Sequence, residues 1–345
     1  MRGRRTALML VLVGLGVGSC SPTGGGVRLE SMGGPLGIVW PSPPEVARVR
    51  YLGSIATPGD IGAHQSLLRR VVRAVTGAEQ MRIRQPYGIA VDSAGVIFVA
   101  DVAARGVHRF DPERGRYAFF TARGRPALRS PIGVAVDERG DLYIADSELG
   151  VVVVLRPDGA ERRRIADGLR RPTGLAWDAA RGWLWVVDTE ANRVVAFDRD
   201  GRKQRSFGVR GTGDGEFNYP TNIAVARDGT LYVTDALNVR IQVFSPEGVY
   251  RRQFGRHSNA VGDLARPKGV ALDSDGHVYV VEGLYDVVNL FDSEGRTLLS
   301  VGSAGRGPGE FWLATGIAID RRDRVYVADS HNGRIQVLQY VPGAP

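Results

Sequence analysis

Short hydrophobic runs alternate with turn-forming residues along most of the chain. Between residues 220 and 254, the runs IAVA, LYVT, IQVF and VYRRQF are separated by RDG, ALNV and SPEG. Each run has the length of a β-strand, and the residues between the runs favour tight turns. The inner runs show little polar alternation, which is typical of strands buried on both faces. The pattern predicts one four-stranded antiparallel meander in this stretch.

The same pattern occurs six times in the chain, and successive copies start 45, 41, 48, 47 and 47 residues apart. The copies begin at Pro86, Pro131, Pro172, Pro220, Pro267 and Ala314. A period of this size in short strands is typical of the blades of a β-propeller. We therefore predict an all-β fold, a six-bladed β-propeller of four-stranded antiparallel blades.

A glycine occupies the third position of five copies, and Asn222 replaces it in the remaining one. Crowding of the backbone around the propeller axis, or a positive φ, would exclude a side chain at this position. Asparagine is one of the few other residues that tolerate a left-handed conformation. The glycines are Gly88, Gly133, Gly174, Gly269 and Gly316.

The sixth copy ends after its third strand, so its outer strand must come from elsewhere. Residues 44–55 supply a candidate, because RYLGS at 50–54 matches the RSFGV and RQFGR that end two other copies. We predict that this N-terminal strand pairs with the last blade and closes the ring, which hides exposed strand edges. The propeller would then span residues 44–345.

Residues 57–80 form an insert before the first blade and carry apolar residues at helical spacing. Leu67, Leu68, Val71, Val72 and Val75 form one stripe, opposite several arginines. We expect one short helix whose apolar stripe packs on the propeller body. The alternative is a basic amphipathic lid or docking helix at one mouth of the channel.

The N-terminus resembles the signal peptide of a bacterial lipoprotein. A basic start, MRGRR, precedes an apolar stretch too short to span a bilayer, and the only cysteine, Cys20, ends that stretch. The resemblance implies removal of residues 1–19 and lipid attachment at Cys20, followed by a Gly-, Ser- and Pro-rich tether over 20–43. The family usually has Leu where Val17 stands, so an ordinary signal peptide is the alternative. The resemblance also implies an exported protein anchored to the cell membrane, and Ser21 favours the outer membrane in a diderm cell.

The net charge of +8 is compatible with contact with anionic polymers, lipid head groups or acidic proteins. However, the arginines are scattered over all blades without a dense basic run, which is more typical of a solvated surface. Nucleic acid is an improbable partner, because export removes the protein from it.

The phrase P-x-G-[IV]-A-[VIL]-D, followed by G-x-[IVL]-[YF]-V-A-D and N-x-R-I-x-V-F, resembles the NHL repeat over residues 44–341. NHL propellers bind proteins, peptides or RNA, act as extracytoplasmic sensor modules, or in one branch are metal-dependent lyases. The resemblance also implies that an acidic residue ending the second strand faces an arginine starting the third. These pairs are Asp188 with Arg193, Asp235 with Arg240, and Asp329 with Arg334.

Three blades lack that arginine, because Gly106, Val151 and Val287 stand in its place. Asp101, Asp146 and Glu282 are thus left without the family partner. In one interpretation all six carboxylates brace loops; in the other, the three unpaired ones contact a ligand or a cation on one rim.

The residue types that would carry catalysis are scattered. The histidines lie at unlike positions of the repeat, so we expect no converging metal centre; they are His64, His108, His257, His277 and His331. The sequence GxSxG is absent. Aspartates that end innermost strands are interpreted as turn formers, namely Asp92, Asp137, Asp178, Asp273 and Asp320. We expect no cofactor, with a central calcium ion as the alternative.

These observations favour a binding or scaffolding module over an enzyme. The predicted contact surface is the rim formed by the connectors between blades and by the loops joining second to third strands. Its partner would be a protein, peptide or glycan of the cell envelope. The alternative is a metal-dependent envelope lyase or hydrolase with a site in the central channel. The candidate contact residues are Tyr87, Lys268, Glu282, Tyr285 and His331, with Asp101 and Asp146 beside them.

Overall fold

The computed structural model describes residues 37–63, 81–121, 126–255 and 262–342. The predicted signal peptide, Cys20, His64, His257 and residues 64–80 of the predicted helical insert lie outside the described residues. Within the described ranges, no helix is long and apolar enough to cross a membrane.

The described chain is built almost entirely of β-strands, with short 3₁₀ turns at Pro58–Ile61 and Ala236–Asn238. In chain order the strands are β1 (Val39–Trp40), β2 (Val49–Ile55), β3 (Pro86–Val91), β4 (Ile97–Asp101), β5 (Gly106–Asp111), β6 (Arg116–Phe120), β7 (Pro131–Val136), β8 (Leu142–Asp146), β9 (Val151–Leu155), β10 (Glu161–Ile165), β11 (Pro172–Asp178), β12 (Trp183–Asp188), β13 (Arg193–Asp198), β14 (Lys203–Phe207), β15 (Pro220–Val225), β16 (Leu231–Asp235), β17 (Arg240–Phe244), β18 (Tyr250–Phe254), β19 (Pro267–Leu272), β20 (Val278–Glu282), β21 (Val287–Phe291), β22 (Thr297–Val301), β23 (Ser303–Ala304), β24 (Glu310–Phe311), β25 (Ala314–Ile319), β26 (Arg324–Asp329) and β27 (Arg334–Tyr340).

These strands form six blades, as the repeat predicts. Blades 1 to 5 are four-stranded antiparallel sheets of consecutive strands, β3–β6, β7–β10, β11–β14, β15–β18 and β19–β22. The innermost strand of every blade begins at the residue where the sequence copy begins. The small parallel pair β23–β24 lies in the connector between blades 5 and 6.

Blade 6 is closed by the N-terminal strand, and this prediction is confirmed. Strand β2 pairs antiparallel with β27, with Val49 opposite Tyr340 and Ile55 opposite Ile335. The sheet order is β1-β2-β27-β26-β25, so the two ends of the described chain share one sheet.

The end of the predicted tether is a strand rather than free linker. Val39 and Trp40 of β1 pair with β2, and Trp40 packs against the core between blades 5 and 6. The physical reason is local hydrophobicity, because Ile38, Val39 and Trp40 can cover apolar surface beside the closing strand.

The hydrophobic core consists of six clusters, one between each pair of neighbouring blades. Alternate side chains of one strand enter different clusters: Val186 of β12 packs towards blade 2, whereas Trp185 and Val187 pack towards blade 4. Both faces of the sheet are therefore buried, which explains the continuous apolar runs in the sequence.

The recurring glycines are required by backbone crowding at the axis. A Cβ on Gly133 would lie 1.8 Å from the Thr173 carbonyl oxygen, and one on Gly316 would lie 2.0 Å from that of Tyr87. None of the five has a positive φ. Asn222 is also outside the left-handed region, so its replacement of glycine does not depend on that conformation.

Candidate functional site

The propeller has two unlike faces. On one, the loop between the second and third strands of a blade is hydrogen-bonded to the connector that enters the same blade; for example, the Gly283 amide donates to the Arg266 carbonyl oxygen (3.0 Å). We call this the connector face, and it is the rim predicted from the sequence. The hairpins of each blade form the opposite side, which we call the hairpin face.

A buried carboxylate ends the second strand of every blade and holds the connector in place. Asp188 accepts the amides of Arg170 (3.0 Å) and Arg171 (2.9 Å). The same position accepts connector amides in all blades, and its residues are Asp101, Asp146, Asp188, Asp235, Glu282 and Asp329. Each of them is fully buried.

One interpretation of the sequence had three carboxylates contacting a ligand or a cation on one rim. That interpretation is corrected, because the side chains of Asp101, Asp146 and Glu282 are buried. Asp146 accepts the amides of Arg129, Ser130, Glu148 and Leu149. Glu282 accepts those of Ala265, Arg266 and Leu284. Charge-assisted hydrogen bonds to several backbone amides stabilise a carboxylate without a cation, so these groups brace loops and do not face a ligand.

The arginine pairs that the family resemblance implies are present. The shortest distances between nitrogen and oxygen are 3.0 Å for Arg193 with Asp188, 2.8 Å for Arg240 with Asp235 and 2.7 Å for Arg334 with Asp329. Arg240 also donates to the carbonyl oxygens of Gly213 and Glu216 (2.9 Å each). These arginines tie the connector to the blade, as the loop-brace interpretation states.

In blade 1, where Gly106 stands in place of the arginine, a histidine two residues further along the strand is the side-chain partner of the carboxylate. His108 is fully buried, with Nε2 3.1 Å from Asp101 Oδ2 and Nδ1 2.8 Å from the Tyr117 hydroxyl. Burial alone would raise the pKa of Asp101, but the hydrogen bonds from His108 and from the Arg84 and Ala104 amides hold that pKa below its ordinary value. The sequence contained a signal for this role. His108 is the third residue of the third strand in its blade, and Gln242 and Gln336, at the same position in their blades, contact Asp235 and Asp329.

On the hairpin face, aspartates shape the turns as predicted. Asp273 Oδ1 accepts the amides of Asp275 (3.0 Å) and His277 (2.9 Å). Asp92, Asp137, Asp178 and Asp320 make equivalent bonds to their own hairpins. Among the described residues, no three His, Cys, Asp or Glu side chains are grouped so that they could hold a metal ion.

The central channel is narrow. A cavity of about 60 Å³ lies between the innermost strands, and its side chains offer hydroxyls and one amide besides apolar groups. Its polar lining residues are Tyr87, Thr173, Thr221 and Asn222. This space is small compared with the ligand pockets of proteins, which measure about 300–1,000 Å³.

The mouth on the connector face is basic. The predicted residues Tyr87 and Lys268 are each the second residue of an innermost strand, β3 and β19, at this end of the channel. Arg171 and Arg266 precede the first residues of β11 and β19, and Lys268 follows the first residue of β19. Burial raises the pKa of the Tyr87 phenol, which Arg171, Tyr219 and Arg266 also influence. These three residues belong to the connectors that enter blades 3, 4 and 5. We call Arg171, Arg266 and Lys268 the basic mouth.

Large apolar side chains are exposed beside this mouth, in the loops and connectors of blades 4, 5 and 6. Leu237 is 62% and Leu284 56% exposed. We call the set the apolar arc; it comprises Tyr219, Leu237, Leu284, Tyr285, Trp312 and Leu313. The corresponding loop tips of blades 1 to 3 carry Ala103, Glu148 and Glu190 instead.

Of the predicted contact residues, Tyr285 belongs to this arc and His331 borders it. The exposed His331 ring lies 5.2 Å from that of Trp312, and the Arg306 guanidinium carbon lies 4.4 Å from the Trp312 ring. The sequence interpretation missed Leu237, Leu284 and Trp312, although large apolar residues within turn segments were a usable signal.

Two arc residues have a strained backbone. Tyr219 (φ 59°) and Leu313 (φ 50°) both lie in the left-handed region, which bulky residues rarely adopt. Their amides donate to Asn192 Oδ1 (2.8 Å) and Asp286 Oδ1 (2.6 Å) of the preceding blade. Strain of this kind persists only where the surroundings enforce it, and it is concentrated at functional sites.

Comparison with known proteins supports the same fold. The model of the SMP-30/gluconolactonase/LRE-like region matches residues 133–255, and that of the NHL repeat matches residues 311–338. A search of curated proteins found no match.

Several solved structures share the fold at low identity. Virginiamycin B lyase from Staphylococcus aureus is 16% identical over 74% of this chain and 95% of its own, with a TM-score of 0.56. A gluconolactonase from Xanthomonas campestris is 19% identical over 86% and 99%, with a TM-score of 0.57. A protein of unknown function from Bacteroides thetaiotaomicron is 18% identical over 76% and 70%, with a TM-score of 0.59. Taken together, the blades and the matches show that the protein is a six-bladed β-propeller, with a match to the NHL repeat over residues 311–338.

Proposed function

We propose that this protein is a lipid-anchored binding module of the cell envelope, and that its connector face engages a protein, peptide or glycan partner. The observation that carries the proposal is the apolar arc beside the basic mouth, on a face whose channel is too narrow to admit a ligand. Grouped exposed apolar side chains are typical of interaction surfaces.

The composition of this face resembles that of protein interfaces. Tyr, Trp and Arg are enriched at such interfaces and supply much of the binding energy. Here Tyr219, Tyr285 and Trp312 are each between a third and two-fifths exposed. Burying the arc under a partner would remove this apolar area from water, which is favourable by about 25 cal/mol per Å².

Photo-crosslinking tests the proposed face. A photoreactive amino acid replaces Leu284 of the arc, or Leu298 on the outer strand β22 as a matched control; these leucines are 56% and 51% exposed. In native envelopes we expect a discrete adduct from position 284 and none from 298. Adducts from 298 alone, or from neither position, would contradict the proposal.

The anchor is tested separately. Cys20 is the only cysteine, so Cys20→Ser removes any lipid attached through a thioether without disturbing a disulfide within the chain. We expect the variant to lose incorporated radiolabelled palmitate and to leave the membrane fraction. An ordinary signal peptide would instead leave fractionation unchanged.

The alternative function is that of a metal-dependent lyase or hydrolase, and the SMP-30/gluconolactonase match over residues 133–255 is the observation that favours it. Calcium sites are rich in carboxylates and zinc sites use imidazole or thiolate. The lining of the channel, with its hydroxyls and one amide, does not fit either donor set. Turnover of gluconolactone or quinupristin by purified protein, dependent on a stoichiometric metal, would establish the alternative.

A further inference from the structure

The three cations of the basic mouth are not neutralised within the described part of the protein. No carboxylate there forms an ion pair with Arg171, Arg266 or Lys268, whereas nearby Arg129 is paired with Glu148 (3.2 Å). Arg171 instead lies over the ring of Tyr219, with its guanidinium carbon 5.7 Å from the ring centroid. An anion is thus the missing counterpart of this cluster.

Arg171 and Arg266 directly precede β11 and β19, and Lys268 is the second residue of β19, so all three cations lie at the connector end of the innermost strands. A Cβ on Gly283 would lie 3.2 Å from Lys268 Cγ, so the Lys268 side chain runs along the loop of its own blade. Burial lowers the pKa of Lys268, neighbouring Arg266 lowers it further, and Glu282 acts in the opposite direction. A bound anion would relieve both the desolvation and the repulsion between like charges.

The surroundings of the mouth indicate what carries the anion. Arginine donates two parallel hydrogen bonds to a carboxylate, and Lys268 adds a point charge. The leucines of the apolar arc offer no hydrogen bond to a sugar, and they match aliphatic or aromatic side chains better. A free inorganic anion would leave the arc exposed. A peptide that places a carboxylate at the mouth and apolar side chains on the arc uses both features.

We infer that the connector face recognises an acidic peptide segment, whose carboxylate is bound by Arg171, Arg266 and Lys268 and whose neighbouring apolar residues pack on the arc. This inference rests on the proposed function and specifies the partner of the same face. The carboxylate can come from an Asp or Glu side chain or from a C-terminus, because both present the same group.

Selection from a displayed library of random peptides tests the inference with the full-length chain in detergent. Three baits are compared: the native chain, the mouth variant Arg171→Ala/Arg266→Ala/Lys268→Ala, and a control, Arg139→Ala/Arg227→Ala/Arg321→Ala. The control removes three exposed arginines from the hairpin face, for which no ion pair is found in the described residues. Circular dichroism verifies that each bait is folded.

We expect the native and control baits, but not the mouth variant, to enrich peptides with an acidic group next to apolar residues. A synthetic copy of a selected peptide should bind about tenfold more weakly after Glu→Gln or Asp→Asn, the usual loss for one charge-assisted contact. If the carboxylate is C-terminal, amidation should cause that loss instead.

The other outcomes separate the inference from the proposed function. Enriched peptides without an acidic group, whose binding is lost in Leu237→Ser/Leu284→Ser, would overturn the inference and support the proposed face. Binding of polygalacturonate that requires the mouth, without peptide enrichment, would replace the peptide by an acidic glycan. Equal enrichment by the native chain and the mouth variant, or none by any bait, would also overturn the inference.

Discussion

The carboxylate that ends each second strand is the residue on which the connector face depends. In all blades it is fully buried and accepts backbone amides from the connector. Its side-chain partner is Arg193 in blade 3 and His108 in blade 1, and none is found among the described residues in blade 2. The side-chain partner is thus interchangeable, and the carboxylate with its amides is the constant element. Removing it would leave several buried donors without an acceptor.

Asp146→Ala should lower the free energy of unfolding by about 2–3 kcal/mol, because four backbone amides lose their acceptor. Urea unfolding followed by circular dichroism measures this loss. The matched control is Asp158→Ala, an exposed turn residue that accepts a single amide, and it should cost less than about 1 kcal/mol. Equal effects of the two changes would refute the role of the buried carboxylate.

The buried carboxylate of Asp101 makes the stability of the folded protein depend on pH in the acid range. Its pKa in the folded protein lies below the ordinary 3.8, so the unfolded chain binds the proton first as the pH falls. The stabilisation is therefore fully present above about pH 4 and is lost as the pH decreases through the folded pKa. Urea unfolding of the native chain and of Asp101→Asn should show a stability difference that narrows below about pH 4; a constant difference would argue against it.

Among the elements, the closing strand β2 has the largest consequence for the fold. It supplies the outer strand of blade 6, and its residues Leu52 and Ile55 enter the core between blades 6 and 1. The edge of β27 would otherwise present unpaired backbone groups to other molecules. One short strand therefore determines whether six similar units form a ring.

Ile55→Ala should lower the free energy of unfolding by about 3 kcal/mol, because Ile55 is fully buried. Arg50→Ala on the same strand, where the side chain is exposed, should change it by less than about 0.5 kcal/mol. Deletion of residues 46–55 should lower the melting temperature of the whole ring in calorimetry. An unchanged transition after that deletion would contradict the closure.

For the whole molecule, the contact between innermost strands sets the width of the channel and hence where a ligand can bind. The strands approach so closely that only glycine fits at Gly133 and Gly316, and a cavity of about 60 Å³ is left at the axis. Under the proposed binding function, a partner would therefore contact a face of the ring rather than the channel. The faces differ, since the connector face carries the basic mouth and the apolar arc.

Gly133→Ala tests this crowding. The new methyl group would meet the Thr173 carbonyl oxygen at 1.8 Å, so the neighbouring strand must move, at a cost of about 3 kcal/mol in the free energy of unfolding. In Gly59→Ala the nearest atom is the Thr57 hydroxyl at 3.5 Å, and stability should change by less than about 0.5 kcal/mol. Thermal unfolding measures the stability of both variants relative to the native chain. A Gly133→Ala variant as stable as the native chain would contradict the crowding at the axis.

The sequence alone determined the architecture, because blade repeats record local requirements. Hydrophobic runs, turn aspartates such as Asp273 and axial glycines such as Gly133 are each imposed by their own strand or by the neighbouring blade. The closing strand could also be predicted, since its RYLGS repeats the ending of other blades.

Only the tertiary structure decided the character of the candidate site. In the sequence, Asp101 and Asp146 lack the arginine partner of the family. In the structure their carboxylate oxygens accept hydrogen bonds from backbone amides 16 or 17 residues upstream, and no pattern of side chains predicts such a contact. Likewise, Tyr87, Arg171 and Arg266 are far apart in the chain, and the ring closure brings them to one mouth. Backbone hydrogen bonding and closure of the ring, rather than residue type, thus determine which charges are buried as braces and which stay at the surface.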